Sequence, residues 1–69
     1  MRISARNVIP GTIVAITKGA TTAHVRIDVG NGVVLTAAIT NESVEELGLE
    51  VGKPASAIIK SSDVMVGVD

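Results

Sequence analysis

The sequence predicts a small all-β domain: a curled sheet or barrel of five or six short strands with one short helix. Three features of the 69-residue chain lead to this prediction. The β-branched residues Val, Ile and Thr occupy 25 positions, and such residues favour strands over helices. Glycines divide the chain into short apolar runs, and one stretch alone has helical spacing and capping. A chain of this length has room for one domain, which we expect to span residues 1–69.

The first part of the chain predicts two strands. Ile3–Asn7 is a short candidate, and Thr12–Thr17 is a second. Between them, Pro10 and Gly11 are expected to interrupt the strand pattern, because proline lacks a backbone donor and glycine weakens a strand.

A hairpin is predicted in the middle of the chain. Thr22–Val29 alternates apolar and polar residues with a period of two, which is typical of a half-buried strand. Gly30–Gly32 supplies residues that tolerate positive φ, and the strand pattern resumes over Val33–Thr40. Two such runs joined by three turn residues predict a β-hairpin.

One helix is predicted after these strands. Thr40 or Asn41 can cap its first turn, and Gly48 fits the position just beyond its end. Val44 and Leu47 form an apolar pair three residues apart, which is helical spacing. Three carboxylates would lie near the positive end of the helix dipole: Glu42, Glu45 and Glu46.

The chain after the helix predicts two more strands. Ala55–Lys60 is the first, and the turn Ser61–Asp63 separates it from a last candidate near Val64–Val68. Three strands, a helix and a further strand are the usual order of the five-stranded oligonucleotide/oligosaccharide-binding (OB) barrel. We therefore predict a small five-stranded OB-type barrel with one short helix.

The composition excludes several classes of function. Without cysteine there is no disulfide framework, thiolate nucleophile or thiolate metal site. His24 is the only histidine, so one chain cannot build a zinc site on two imidazoles. The absence of aromatic residues and a net charge of −1 argue against a nucleic-acid partner. No unbroken apolar run is long enough to span a membrane.

No catalytic motif is present, and we predict that the protein is not an enzyme. Alternation places Asp28 on the same strand face as His24, but no nucleophile elbow or glycine-rich phosphate loop accompanies them. His24 is expected to face solvent or a subunit contact. The three helix glutamates are expected to keep that helix solvated rather than to form a catalytic carboxylate pair.

Two short segments carry donors without nearby carboxylates. In Ser4–Asn7, alternation places the Ser4 hydroxyl and the Arg6 guanidinium on the same side. In Lys60–Ser62, a cation precedes two hydroxyls at a strand end. Such a donor set suits a small tetrahedral dianion. The alternative is that both cations extend into solvent and that the serines are ordinary turn residues.

A third candidate is the segment from Lys18 to Thr22. Gly19 would allow backbone amides to form an anion-binding concavity, assisted by the Lys18 ammonium and the hydroxyls of Thr21 and Thr22. The alternative is a plain hairpin loop.

A series of short motifs follows along the chain in a specific order and spacing. They are Ile3–Asn7, Gly11–Ile13, Lys18-Gly19, Leu35–Thr40, Ser43-Val44, Leu47–Leu49, Val51-Gly52 and Ala57–Ser62. Each is weak alone, but together they resemble the molbindin (Mop) family over essentially the whole chain. The length is that of a single Mop or TOBE-type domain.

The resemblance implies a cytoplasmic protein that binds molybdate, and tungstate, as intact oxyanions, with no organic cofactor and no other metal. It also implies an OB-type barrel and a homo-oligomer, a hexamer built as a trimer of dimers, with oxyanions between subunits. One class of site resembles a pocket with Ser4, Arg6, Lys60 and Ser61, with Ala5, Asn7 and Ser62 nearby. A second class, near a threefold axis, would use Lys18, Gly19, Ala20, Thr21 and Thr22.

Small size independently favours self-association. A core of about this size roughly balances the conformational entropy lost on folding, and this chain has no disulfide to add stability. The functional hypothesis is intracellular storage or buffering of molybdate. The alternative is a ligand-free oligomerisation or interaction module with the same barrel, and a nucleic-acid-binding barrel ranks third.

Overall fold

Four antiparallel strands form one sheet in the order β3-β2-β1-β4, in a computed structural model that describes residues 1–69. A helix joins β3 to β4, and a 3₁₀ turn follows β4. The elements are β1 (Asn7–Lys18), β2 (Thr22–Gly30), β3 (Val33–Thr40), α1 (Asn41–Glu46), β4 (Pro54–Ile59) and the 3₁₀ turn (Ser61–Asp63). The predicted class, an all-β OB-type domain with one short helix, is confirmed, with four strands in place of five.

Strand β1 curls the sheet because it pairs with different neighbours along its two halves. Its first half pairs with β4 from Asn7 to Thr12, and its second half pairs with β2 from Thr12 to Lys18. The register with β2 shifts between Ile13 and Ala15, which is the signature of a bulge. Bulges bend a strand and increase its twist, so the sheet closes into a partial barrel.

The predicted interruption at Pro10 and Gly11 is wrong, because β1 runs through both residues. Pro10 pairs with Ser56 of β4, and pairing with β2 starts only at Thr12. At Pro10, strand β1 is therefore paired with another strand on one side only. The sheet tolerates the missing backbone N–H of Pro10 at this position, as it would on an edge strand. A Cβ on Gly11 would lie 2.5 Å from the carbonyl oxygen of Asp28. Glycine therefore allows β1 and β2 to cross closely.

The two terminal strand predictions are also wrong. Within Ile3–Asn7 only the last residue belongs to a strand, and Val64–Val68 has no regular structure. Neither segment has a neighbouring strand in the chain to pair with. Alternating or β-branched residues favour an extended chain, but a strand also needs hydrogen bonds from a partner.

The predicted hairpin is confirmed. Strands β2 and β3 pair along most of their length, from Thr22 opposite Thr40 to Gly30 opposite Val33. Residues 30, 31 and 32 all have positive φ, of 98°, 53° and 76°. Two glycines and one asparagine make this turn possible, because these residue types enter the left-handed region at low cost.

The predicted helix is confirmed together with its cap. Helix α1 follows Thr40, whose Oγ1 accepts a hydrogen bond from the backbone N–H of Ser43 at 3.0 Å. Gly48 has a φ of 63° and ends the helix in the left-handed conformation. Val44 is the helix residue that enters the core, whereas Leu47 is exposed.

The core is small and aliphatic. Only five residues are buried: Ile13, Ala23, Val25, Ile27 and Val44. Three of them alternate along β2, as the period of two predicts. One side of this core opens into an apolar groove of about 460 Å³ between β3 and β4.

None of the helices has the length and apolar character needed to cross a membrane.

Candidate functional site

A polar cavity lies where the chain enters β1 and leaves β4. Its volume is about 220 Å³, and its lining residues are Ser4, Ala5, Arg6, Lys60, Ser61 and Ser62. The register of β1 and β4 explains this meeting, because Asn7 pairs with Ile59 in an antiparallel ladder. The residues before Asn7 therefore lie beside those after Ile59. The structure brings together six of the seven residues proposed for the first site.

Asn7 is the seventh residue, and it holds the end of the ladder rather than lining the cavity. Its Nδ2 donates to the carbonyl oxygen of Ile59 at 3.1 Å. The side chain is half-buried, and the bond joins residues 52 positions apart. Asn7 thus fixes the relative position of the two segments that form the cavity walls.

The cations of the polar cavity have no carboxylate partner. Ion pairs in the chain join Lys18 to Glu45 and Lys53 to Glu50, and the contact with Lys53 lowers the pKa of Glu50. Arg6 and Lys60 take part in neither pair. Two unpaired cations and three hydroxyls with no carboxylate make a lining rich in donors. Such a lining favours an anion, and the planar guanidinium of Arg6 can donate two parallel hydrogen bonds to an oxyanion.

The backbone at the cavity adds further donors. In the 3₁₀ turn, Asp63 N–H donates to the carbonyl oxygen of Lys60 at 2.9 Å. The N–H groups of Ser61 and Ser62 donate to no acceptor within the chain. Every cavity residue except Ala5 is exposed, so the cavity is open to water in a single chain.

The segment from Lys18 to Thr22 forms the loop between β1 and β2. Gly19 N–H donates to the carbonyl oxygen of Thr22 at 2.8 Å, so this amide is already used within the loop. Lys18 Nζ lies 3.2 Å from Glu45 Oε1 of helix α1. Within one chain the segment is a hydrogen-bonded loop that contacts helix α1, as the plain-loop alternative predicts. Its role in oxyanion binding stays a prediction.

Asn41 is a residue whose role at this loop the sequence reasoning missed. Its Nδ2 donates to the carbonyl oxygen of Gly19 at 3.0 Å. Its backbone N–H donates to the carbonyl oxygen of Thr21 at 2.9 Å. Its Oδ1 is buried without a hydrogen-bond partner. Asparagine at a helix start suggested a cap, and only the fold shows that it reaches across to the β1–β2 loop.

The other polar candidates are dispersed. His24 is exposed on β2 between Thr17 of β1 and Ala38 of β3. Asp28 is occupied locally, because its Oδ1 accepts from Gly30 N–H at 2.8 Å. No cluster of three or more His, Asp or Glu side chains could hold a metal ion. The polar cavity is therefore the place where charge and donors converge.

The fold and the cavity define a small OB-type β-domain with an exposed cavity lined by hydrogen-bond donors. The chain belongs to the TOBE domain family, whose model matches residues 3–66. The predicted resemblance to the molbindin family is confirmed by its relatives. This chain is 52% identical over 69 residues to a probable molybdenum-pterin-binding protein of Haemophilus influenzae, and the alignment covers both chains completely.

Solved structures are similar over the whole chain. A molybdate-binding protein from Sporomusa ovata is 37% identical with a TM-score of 0.92, covering 99% of this chain and 100% of that one. The cytoplasmic molybdate-binding protein ModG, solved with molybdate bound, is 45% identical with a TM-score of 0.94. All of this chain aligns with 49% of the ModG chain. The names of these relatives describe binding proteins, not enzymes.

Proposed function

We propose that this chain binds molybdate as an intact oxyanion in the polar cavity and stores or buffers it in the cytoplasm, without catalysing a reaction. The observation that carries the proposal is the meeting of two unpaired cations, Arg6 and Lys60, with three serine hydroxyls in one cavity. Relatives named for molybdate or molybdenum-pterin binding support it.

Each cavity residue has a distinct role in this proposal. Arg6 supplies charge and a planar set of donors, while Lys60 supplies a compact charge. The hydroxyls of Ser4, Ser61 and Ser62 orient the anion oxygens. Ala5 adds no polar group, and Asn7 positions the walls through its bond to Ile59.

Selectivity follows from charge, protonation and size. Molybdate, tungstate and sulfate carry the same charge and shape, so the cavity distinguishes sulfate chiefly by its smaller size. Phosphate near neutral pH retains a proton that needs an acceptor, and the lining has no carboxylate. We therefore expect molybdate and tungstate to bind, and sulfate and phosphate to bind more weakly.

Assembly is part of the proposal, with residues 1–69 forming one Mop domain. The cavity of a single chain is exposed, whereas an anion is bound most strongly when fixed donors replace its water. A second copy that covers the cavity would supply this enclosure. We propose a homo-oligomer with oxyanions between subunits, a hexamer in the arrangement that the family resemblance implies.

A second class of oxyanion site is proposed at the loop formed by Lys18, Gly19, Ala20, Thr21 and Thr22. An anion there competes with Glu45 for Lys18, so this site needs cations from neighbouring copies. We expect it to be weaker than the polar cavity for that reason.

Calorimetric titration of the purified protein with molybdate, tungstate, sulfate and phosphate tests the proposal. We expect saturable heat with the first two anions and little with the others. Absence of heat and of thermal stabilisation with all four would refute oxyanion binding. The protein would then be a ligand-free oligomerisation module, a function that the apolar groove between β3 and β4 favours.

A further inference from the structure

The turn between β2 and β3 consists of two residues only. Gly30 pairs with Val33, so Asn31 and Gly32 alone connect the two strands. Both have positive φ, of 53° and 76°, as the turns that favour two-residue hairpins require. Asparagine followed by glycine meets this requirement at low cost. The same dipeptide places a side-chain amide directly before a backbone nitrogen whose own residue has no side chain.

No contact in the chain holds the side chain of Asn31. It is exposed, and none of the side-chain hydrogen bonds involves it. The backbone N–H of Gly32 donates to no acceptor within the chain. A Cβ on Gly30 or on Gly32 would meet nothing within 4 Å, so the turn projects into solvent. The amide is therefore free to rotate toward the nitrogen of the next residue.

The other two asparagines of the chain are held by hydrogen bonds. Asn7 Nδ2 donates to the carbonyl oxygen of Ile59 at 3.1 Å, and the β-branched Val8 follows it in the ladder of β1 and β4. Asn41 Nδ2 donates to the carbonyl oxygen of Gly19 at 3.0 Å, at the start of helix α1. A bonded amide must lose its contact before it can react, so these two residues serve as internal references.

We propose that Asn31 is a site of spontaneous deamidation. The backbone nitrogen of Gly32 attacks Cγ, the side-chain carbonyl carbon of Asn31, and the new N–C bond closes a succinimide ring. The bond from Cγ to the amide nitrogen breaks, and that nitrogen leaves as ammonia with the proton that Gly32 loses. Water then adds to one of the ring carbonyls and opens the ring. Opening at Cγ gives aspartate, and opening at the main-chain carbonyl gives isoaspartate.

The two products change the turn in different ways. Aspartate keeps the main chain as it was and adds a negative charge to a chain whose formal net charge is −1. Isoaspartate adds the same charge but routes the main chain through the former side chain, which inserts an extra atom. Because turn length fixes the register of a hairpin, the isoaspartate form disturbs the pairing of Gly30 with Val33.

This inference goes beyond the proposed function. No residue of the turn lines the polar cavity, so the reaction needs neither a bound anion nor a second copy of the chain. Water is its only co-reactant. It would alter the protein with time whatever the cavity binds.

Incubation of the folded wild-type protein in neutral buffer, sampled over days, tests the proposal. Each sample is digested with pepsin at acidic pH, and peptide fragmentation by mass spectrometry locates any amide that has become an acid. An isoaspartyl methyltransferase with a labelled methyl donor measures the isoaspartate. We expect Asn31 to convert about tenfold or more faster than Asn7 and Asn41, because glycine leaves the attacking nitrogen unhindered and no hydrogen bond holds the amide.

A matched pair of variants checks the role of the following residue. Gly32→Asn keeps a residue type that enters the left-handed region but places a Cβ next to the attacking nitrogen. Conversion of Asn31 should then be several-fold slower. Gly48→Asn makes the same substitution after helix α1, at a φ of 63°, and should leave that rate unchanged. A Cβ meets nothing within 4 Å at either position, so both variants should fold.

Three outcomes would overturn the proposal. The first is a folded protein in which Asn31 stays intact while the same chain unfolded in guanidinium deamidates, because the turn would then protect the amide. The second is conversion of Asn7 or Asn41 as fast as that of Asn31. The third is a Gly32→Asn variant that converts at the wild-type rate. The first two are read from the wild type alone, so the test does not depend on the folding of a variant.

Discussion

Two individual residues of the polar cavity, Arg6 and Lys60, bring positive charge together without a carboxylate partner. Lys18 and Lys53 each pair with a glutamate, while Arg6 and Lys60 face a cavity without a carboxylate. Unpaired cations of like charge repel each other when they are brought together. An anion between them removes this repulsion, so these two residues are the ones whose loss should affect binding most.

Arg6→Ala and Lys60→Ala should each weaken molybdate binding by more than about tenfold, because a bound dianion then lacks one charged partner. Equilibrium dialysis measures this change. Arg26→Ala and Lys53→Ala serve as matched controls, since they remove the same residue types away from the cavity. Wild-type affinity in both Arg6→Ala and Lys60→Ala would remove these residues from the site.

Gly11 is a second position where one residue matters. Gly11→Ala should lower the free energy of unfolding by about 1–3 kcal/mol, because the new Cβ would press on the backbone of Asp28. Urea unfolding at fixed protein concentration measures the loss. Gly67→Ala is the control, since a Cβ there meets nothing within 4 Å. Equal stability of Gly11→Ala and wild type would contradict the close crossing of β1 and β2.

Among the elements, helix α1 is short and depends on its cap. A helix of six residues has little intrinsic stability, so contacts at its start and its packing through Val44 maintain it. Thr40→Ala removes the acceptor for Ser43 N–H and should cost about 1 kcal/mol in urea unfolding. Thr40→Ser keeps the hydroxyl and should retain most of the stability. A similar loss in both variants would argue against the cap.

The β1–β2 loop depends on the same helix through Asn41. Asn41→Asp replaces the amide that donates to Gly19, and should loosen the loop. We expect faster hydrogen exchange of the Gly19 amide, measured by NMR. Asn31→Asp, in the other hairpin turn, is the control and should leave that exchange rate unchanged. Unchanged exchange in Asn41→Asp would mean that the side-chain bond contributes nothing to loop order.

For the whole molecule, only five residues are buried, so we expect a bound ligand and contacts between copies to add to stability. A ligand that binds only the folded form stabilises it by about 2.7 kcal/mol when its free concentration is about 100 times Kd. Molybdate should therefore raise the thermal midpoint, and native mass spectrometry should show anions on the assembled form. Sulfate at the same ionic strength is the control. An equal rise with sulfate would indicate a general salt effect.

The sequence predicted much of this organisation because some of its signals are local. Alternation along β2, positive-φ residues in the turn, and the cap before α1 each need only neighbouring residues, and all three are confirmed. The predictions failed where pairing decides the outcome. Pro10 is tolerated because β1 has one neighbour there, and the Val64–Val68 segment lacks a partner strand in its own chain.

The candidate site shows the same division. By itself, the sequence determined the fold class, the family resemblance and the donor-rich residue types at the two ends of the chain. Only the tertiary structure decided how Arg6 and Lys60, which the family resemblance places in one pocket, are brought together, that Lys18 is paired with Glu45, and that Asn41 holds the β1–β2 loop. The first follows from the register of β1 and β4, and the other two follow from contacts of α1 with the β1–β2 loop. All of these contacts join residues far apart in sequence, so no local pattern of residues encodes them.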